Sequence, residues 1–405
     1  MRFTGFTDEW NPTPLNQMVE RVTRKNTGEE SKVALTISAQ YGLVDQESFF
    51  NNKVASSDLS HYYLLYKGDY AYNKSYSTGY PWGAVKRLNM YDKGAVSTLY
   101  ICFRPFDIVD SDFIGHYFES TKWHKGVSEI AVEGARNHGL LNIGIKDFFD
   151  TVHFIPSLAE QRKIANLLSL IDERIATQNK IIEDLKKLKS AIIDNVFCLP
   201  SEKQPNKRLD GFNGDWEIVK LSEICERMTD RNSDLKCNLV LTIAAQYGLV
   251  SQLDFFNKSV ASENLSSYFV LKKGDFAYNK SYSGEYTWGA IKKLDYYEEG
   301  VLSPLYICFR PNKNMINSDF LALYFESKKW HRGISEIAGE GARNHGLLNI
   351  SVIDFFNTIH RLPSLTEQIR IATVLQTYQN RINNEERLLL QYQTQRKFLL
   401  QTMFI

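Results

Sequence analysis

Apolar residues recur at heptad spacing over two long stretches, and those stretches organise the rest of the chain. Between Ser157 and Phe197, Ile164, Ile171, Leu185 and Ile192 share one seam position, while Leu168, Ile175, Ile182 and Val196 share the other. Only Gln178 and Lys189 interrupt the seam. No proline or glycine breaks the run, so the pattern predicts one helix roughly 60 Å long at about 1.5 Å per residue. Ser157 with Glu160 predicts a capping box at its start. The same design returns from Ser364 to Phe404: Ser364 and Glu367 form the box, and Ile371, Leu375, Tyr378, Ile382, Leu389, Tyr392, Leu399 and Met403 carry the seam. Its polar breaks, Glu385 and Arg396, fall at the positions equivalent to Gln178 and Lys189. An isolated helix would leave such a stripe in water. The economical arrangement pairs the two helices within the chain as an antiparallel coiled coil, the polar breaks helping to fix register. The alternative is that each helix only covers its own domain.

Short β-rich runs dominate between the helices: Val33–Ser38, Tyr62–Tyr66, Asp69–Asn73, Gly83–Leu88 and Ser97–Arg104, with Lys67-Gly68-Asp69 as a turn. A helix is expected from Ser111 to Trp123, capped by Ser111 or Asp112. A short one from Lys146 to Phe149 precedes a strand from Thr151 to Ile155. These runs are written twice. Gly5-Phe6 to Trp10 matches Gly211-Phe212 to Trp216, and AQYGLV, AYNKSYS and LYICFRP from Ala39, Ala71 and Leu99 return from Ala245, Ala277 and Leu305. One inserted residue later, GARNHGLLNI from Gly134 returns from Gly341. From Leu35 to Pro105 about two-thirds of positions are identical between the copies, a domain duplication and not a solenoid.

The predicted fold is therefore mixed α/β (α+β): two similar globular domains, residues 1–156 and 211–363, each followed by a long helix, 157–198 and 364–405. The polar, two-proline segment LPSEKQPNKRLD at 199–210 is read as a linker. Two such domains flanking an antiparallel helix pair would have pseudo-two-fold symmetry, and duplex DNA is the common partner with matching symmetry.

Composition narrows the classes. The 405 residues are too many for one core, and 43% hydrophobic with 23% charged residues describes a folded globular protein. The N-terminal stretch has no signal-like pattern and no apolar run approaches 18 residues, so a cytoplasmic protein is expected. Five cysteines lack metal-ligand spacing, and a formal net charge of +1 gives no global nucleic-acid signature. Phosphate loops, GxGxxG, GxSxG and HExxH are all absent from the sequence. Asn11-Pro12 continues with Thr13 and has no adjoining glycine-rich loop, unlike the Asn-Pro-Pro-aromatic loop of adenine methyltransferases. Histidines recur in pairs, His124 with His331, His138 with His345, and His153 with His360; His124 with Glu129 suggests a metal site but has no evident third ligand, so the histidines read as structural.

The candidates for ligand contact are polar and aromatic runs between strands, repeated in both copies. In the first copy they are Gln40, Tyr41, Asn73, Lys74, Tyr76, Ser77, Trp82, Lys86, Arg136, Asn137 and His138. In the second they are Gln246, Tyr247, Asn279, Lys280, Tyr282, Ser283, Trp288, Lys292, Arg343, Asn344 and His345. Amides read adenine edges, cations read guanine or hold phosphate, and rings pack on bases or sugars. The structural alternative has Asn73 satisfying a turn, Trp82 filling a core and the charges solvated.

The helix starts PSLAEQRKIANLLSLID and PSLTEQIRIATVLQTYQ, the opening RFTGFTDEW, and the segments KGDFAYNKSYS and GARNHGLLNI resemble the specificity subunit of type I restriction–modification enzymes over the whole chain. The resemblance implies two target-recognition domains on double-stranded DNA, one per half of a bipartite target, and no active site or cofactor in this chain. It also implies docking of two modification (adenine methyltransferase) subunits carrying S-adenosylmethionine, to which restriction/translocase subunits can add. Recognition domains in that family usually differ. Here they nearly match, so an inverted, near-palindromic target is expected. The competing possibilities are a coiled-coil interaction scaffold without a DNA role and, less favoured, a stand-alone nuclease or methyltransferase.

Overall fold

The computed structural model describes residues 1–51, 58–77, 79–131, 141–257, 264–281, 286–338 and 346–405. They form two compact units, residues 1–180 with 387–405, and residues 181–386. Both long helices are present, Leu158–Val196 and Leu365–Thr402.

The first unit is built around the strand Tyr70–Asn73, one of the two inner members of an antiparallel four-stranded sheet with Val19–Arg21, Ile101–Pro105 and Ala84–Arg87. Alternation along this strand sends Tyr70 and Tyr72 into one core, with Trp10, Phe103, Phe113 and Phe148, and Ala71 into a second, with Leu35, Leu65 and Cys102. All three residues are almost fully buried, because a layer covers each face of the sheet. The second core lies under another four-stranded sheet in the order Gly42–Asp45, Ala34–Ser38, Lys93–Val96, Tyr63–Tyr66, with the middle pair parallel. The other unit repeats the plan: Phe276 and Tyr278 face one core, and Ala277 faces the other.

The turn before each central strand is held by a buried carboxylate. Asp69 accepts from the backbone nitrogen of Tyr66 at 2.8 Å and from Arg104 at 2.7 Å, and also pairs with Arg24. Asp275 accepts from Lys272 N at 2.7 Å and twice from Arg310, both at 2.7 Å. A carboxylate this deep is tolerated because charge-assisted bonds fill its lone pairs.

Each unit contains an antiparallel helix segment pair. In the first, Ile164, Leu168 and Ile171 share a core with Leu399, Leu400, Met403 and Phe404, and Arg396 is ion-paired to Asp172. In the second, Ile371 and Leu375 share a core with Ile193, Val196 and Phe197. There Lys186 meets Glu386 at 2.6 Å and Lys189 meets Gln379 at 2.9 Å, so rising numbers on one helix face falling numbers on the other. Of the remaining seam positions, Ile182 and Ile382 are buried while Ile175, Tyr378 and Leu389 are half-buried. Burial passes from Ile192 to Ile193 near the end of the first helix, as expected when a straight 3.6-residue helix drifts from a 3.5-residue repeat.

Four sequence expectations need correction. The glutamates of the expected capping boxes are buried ion-pair partners: Arg2 grips Glu160 at 2.7 and 2.8 Å, and Arg208 grips Glu367 at 2.9 and 2.7 Å. Ser364 accepts from its box partner's nitrogen, Glu367 N, at 3.4 Å. The helix expected over Ser111–Trp123 is two helices, Ser111–Glu119 and His124–Ile130, and its cap is Asp110, which accepts from Asp112 N and Phe113 N. It breaks because the Ser120 hydroxyl donates to Tyr117 O at 2.6 Å and the Trp123 indole to Phe118 O at 3.0 Å, taking carbonyls the helix would use. The strand expected from Ser97 starts at Ile101. Ser97–Tyr100 is a turn, and Lys93–Val96 before it is a strand that its glycine disguised. The segment 199–210 is packed: Leu199 N donates to Glu202 at 2.7 Å, and Lys207 N to Asn195 O at 3.0 Å.

His153 and His360 are buried, each bonded to a tyrosine (Tyr117, Tyr324) at 2.9 Å and a threonine (Thr151, Thr358) at 2.8 Å. Burial pushes each imidazole down to about 4. Above pH ~6.5 both folded and unfolded forms are neutral. Below it, the unfolded chain takes up protons that the native chain refuses. Stability should therefore fall between pH ~6.5 and ~4, by up to about 3 kcal/mol per histidine, and level off below that, as denaturant titrations across this window would show.

Candidate nucleic-acid interface

The central strand of each unit runs directly into the repeated segment Asn-Lys-Ser, residues 73–75 and 279–281. Asn73 Oδ1 accepts from Ser75 N at 3.0 Å, and Asn279 Oδ1 from Ser281 N at 3.0 Å, which closes an Asx turn and leaves each carboxamide its NH₂. The Lys74 carbonyl accepts from Leu141 N at 2.9 Å, and its ammonium donates to Ile143 O at 3.2 Å. Lys280 does the same to Leu348 N at 2.9 Å and Ile350 O at 3.4 Å. The chain returning from GARNHGLLNI is thus pinned to this loop. The predicted residues Arg136, Asn137, His138, Arg343, Asn344 and His345, and also Tyr282 and Ser283, lie outside the described residues.

The far side of the loop is closed by a glycine. A Cβ on Gly83 (φ +79°) would sit 2.2 Å from the Asn73 carbonyl oxygen, and one on Gly289 (φ +78°) 2.2 Å from that of Asn279. The buried Tyr72 and Tyr278 hydroxyls donate to the carbonyls of Trp82 and Trp288 at 2.8 Å, so both tryptophans are half-buried at the edge of a core. Tyr76 and Ser77 are exposed, Tyr76 at 59%.

The lysines of the next strand are placed differently. Lys86 is buried, paired with Glu119 and set over the Tyr80 ring at 5.5 Å. Lys292 is half-buried above Tyr286 at 5.8 Å, and burial pushes its ammonium pKa down against the pull of Glu326. Lys86 is thus committed inside its unit instead of standing on the surface.

Gln40 and Tyr41, and Gln246 and Tyr247, occupy exposed turns between the strands Ala34–Ser38 and Gly42–Asp45, and Leu241–Ala244 and Gly248–Ser251. Beside them stand exposed rings that sequence reasoning missed. Phe49 and Phe50 pack edge-on 5.1 Å apart, with Tyr41 at 6.3 Å from Phe49; Phe255, Phe256 and Tyr247 repeat this at 4.9 and 6.3 Å. The signal was present: the Phe-Phe pair is retained in QESFF and QLDFF while the two residues before it differ. Each pair is held by a helix capped by Asp45 or Ser251 and ended by a left-handed Asn51 or Asn257. Among the described residues no cluster of histidine, cysteine and carboxylate groups could hold a metal, and His124 and His331 pack edge-on against Trp123 and Trp330 at 4.8 Å. All five cysteines are buried.

In sequence the chain is similar to the type I restriction enzyme MjaVIII specificity subunit of Methanocaldococcus jannaschii, 26% identical over 258 residues. The match takes in 58% of this chain, which spans only 57% of that curated relative's length. No family model matches. In fold it is similar to the S subunit of a type I restriction–modification system from M. genitalium, with a TM-score of 0.50 at 15% identity over 100% of this chain and 97% of that one. It is also similar to a chain solved in work on complex assembly and conformational transition of the type I R-M system, with a TM-score of 0.56 at 16% identity over 98% of both. The chain thus shares the fold of these proteins, with two sheet domains each followed by a long helix.

Gly289→Ala should force the loop off its strand, costing about 1–3 kcal/mol from the strained φ and the displaced carbonyl. A denaturant midpoint unchanged within ±0.5 kcal/mol would contradict the close approach described here.

Proposed function

We propose that this chain is the DNA sequence-specificity subunit of a type I restriction–modification complex, with no catalytic centre of its own. The observation that carries this is the duplicated interface. Each unit holds the same anchored Asn-Lys-Ser segment, the same exposed turn tyrosine (Tyr41, Tyr247) and the same phenylalanine pair. Carboxamides, hydroxyls and rings on fixed loops suit the reading of base edges. Sequence similarity to a specificity subunit supports the same reading.

Each unit reads one half of a bipartite target. Because the two interfaces are nearly the same, the halves are the same or nearly the same sequence in inverted orientation, separated by bases that are not read. The long helices dock two adenine methyltransferase subunits, which bring S-adenosylmethionine. Leu170, Leu390 and Phe398 in one unit, and Leu188 and Ile369 in the other, are exposed apolar side chains suited to such contacts. The near-neutral charge fits a subunit that leaves much of the phosphate contact to its partners, so the isolated chain binds DNA weakly. No helix among the described residues is long and apolar enough to cross a membrane, in keeping with action on DNA in the cytoplasm.

Co-expression with a methyltransferase subunit in an unmethylated host, followed by single-molecule mapping of modified adenines, should give a bipartite, near-palindromic motif. Two unrelated half-sites would overturn the inverted-repeat reading. A complex that assembles yet adds no methylation would favour the scaffold alternative.

A further inference from the structure

The second unit contains a cavity of about 460 Å³ beside its Asn-Lys-Ser loop. Its polar lining residues include Gln252, Tyr268, Asn279 and Lys280. The lining also includes Leu305, which is 78% exposed on the turn Ser303–Tyr306. That turn is built rigidly. Tyr306 N donates to Ser303 O at 3.1 Å, Leu305 N to the Ser303 hydroxyl at 3.4 Å, and the Tyr306 hydroxyl lies 3.5 Å from Thr242 Oγ1. A large aliphatic side chain is therefore presented to solvent on a fixed support and lines the same concave site as these hydrogen-bonding residues.

Comparison of the two copies points to a ligand. Of the eleven residues lining the cavity, ten are identical at the matching positions of the first unit, the exception being Pro304 against Thr98. About a third of positions in the surrounding repeat differ. Gln252 matches Gln46 although the next two residues, Leu253-Asp254, replace Glu47-Ser48. Leu305 matches Leu99, itself 71% exposed. A core demands such constancy, but an exposed leucine beside half-buried amides does not.

We infer that this cavity reads one A·T base pair of each half-site: Gln252 with Asn279 on the adenine edge and Leu305 against the thymine methyl. In the first unit, Gln46, Asn73 and Leu99 take the same roles. The assignment rests on the DNA-reading function proposed above. It follows from chemistry: only an A·T pair offers, in the major groove, a donor–acceptor edge suited to a carboxamide next to a methyl group suited to leucine. Gln46, Gln252, Leu99 and Leu305 become specificity-determining residues.

The test uses the assembled complex and duplexes bearing its mapped target. Replacing thymines of one half-site by deoxyuridine, one at a time, should reveal one position where loss of the methyl weakens binding about fourfold. Leu305→Ala should lose the same factor and be indifferent to deoxyuridine there. Gln252→Glu should lower the preference for adenine at that pair by about tenfold or more without changing the salt dependence. Leu99→Ala, read against the other half-site, repeats the measurement independently. If no thymine is sensitive in the wild-type complex, or if the deoxyuridine and Leu305→Ala losses multiply, the inference is overturned while the DNA-reading function stands. A wild-type complex with no mapped target would instead overturn the function itself.

Discussion

Each unit is closed by residues from the end of a long helix that belongs, in sequence, to the other copy. In the first unit Phe404 lies 5.4 Å from Phe113 and 5.7 Å from Tyr117. In the second, Phe197 lies 5.2 Å from Phe320 and 5.7 Å from Tyr324. Exchange also occurs at the backbone: Met1 N donates to the Thr402 carbonyl, as Lys207 N does to that of Asn195. Burying a phenylalanine against two rings is among the larger single contributions available to a domain. Stability of the sheets and pairing of the helices are therefore coupled, and the loops beyond the central strands inherit their rigidity from that coupling.

The helix-start sequence Pro-Ser-Leu-x-Glu-Gln has a physical meaning in this arrangement. Glutamate receives the arginine of the incoming segment, Arg2 or Arg208. Glutamine joins the helix start to the domain: Gln161 Oε1 accepts from Asp110 N at 2.8 Å and its amide donates to Pro156 O at 2.9 Å, while Gln368 does the same with Asn317 and Pro363. Two buried polar side chains thus orient each helix on its domain, and every bond they make is specific in direction.

Much of this was legible in the sequence. The heptads gave the long helices, the duplication gave two equivalent units, and the β-rich runs gave most strands. What stayed hidden depended on three-dimensional partners. Glu160 and Glu367 look like capping residues until Arg2 and Arg208 are placed beside them. Lys86 looks like a surface cation until Glu119 and Tyr80 enclose it. Phe49, Phe50, Leu99 and Leu305 look like core because they are apolar, yet all four are exposed. An apolar residue's side of the surface is set by the turn that carries it, which residue type alone does not disclose.

In the proposed function, two equivalent units read equivalent halves of one target. The most direct measurement compares the complex's affinity for its natural target with that for a duplex in which one half-site is replaced by the inverted copy of the other. The two affinities are expected to agree within the roughly tenfold effect of one mismatched base pair. A loss of a thousandfold or more, the scale separating specific from non-specific binding, would contradict it.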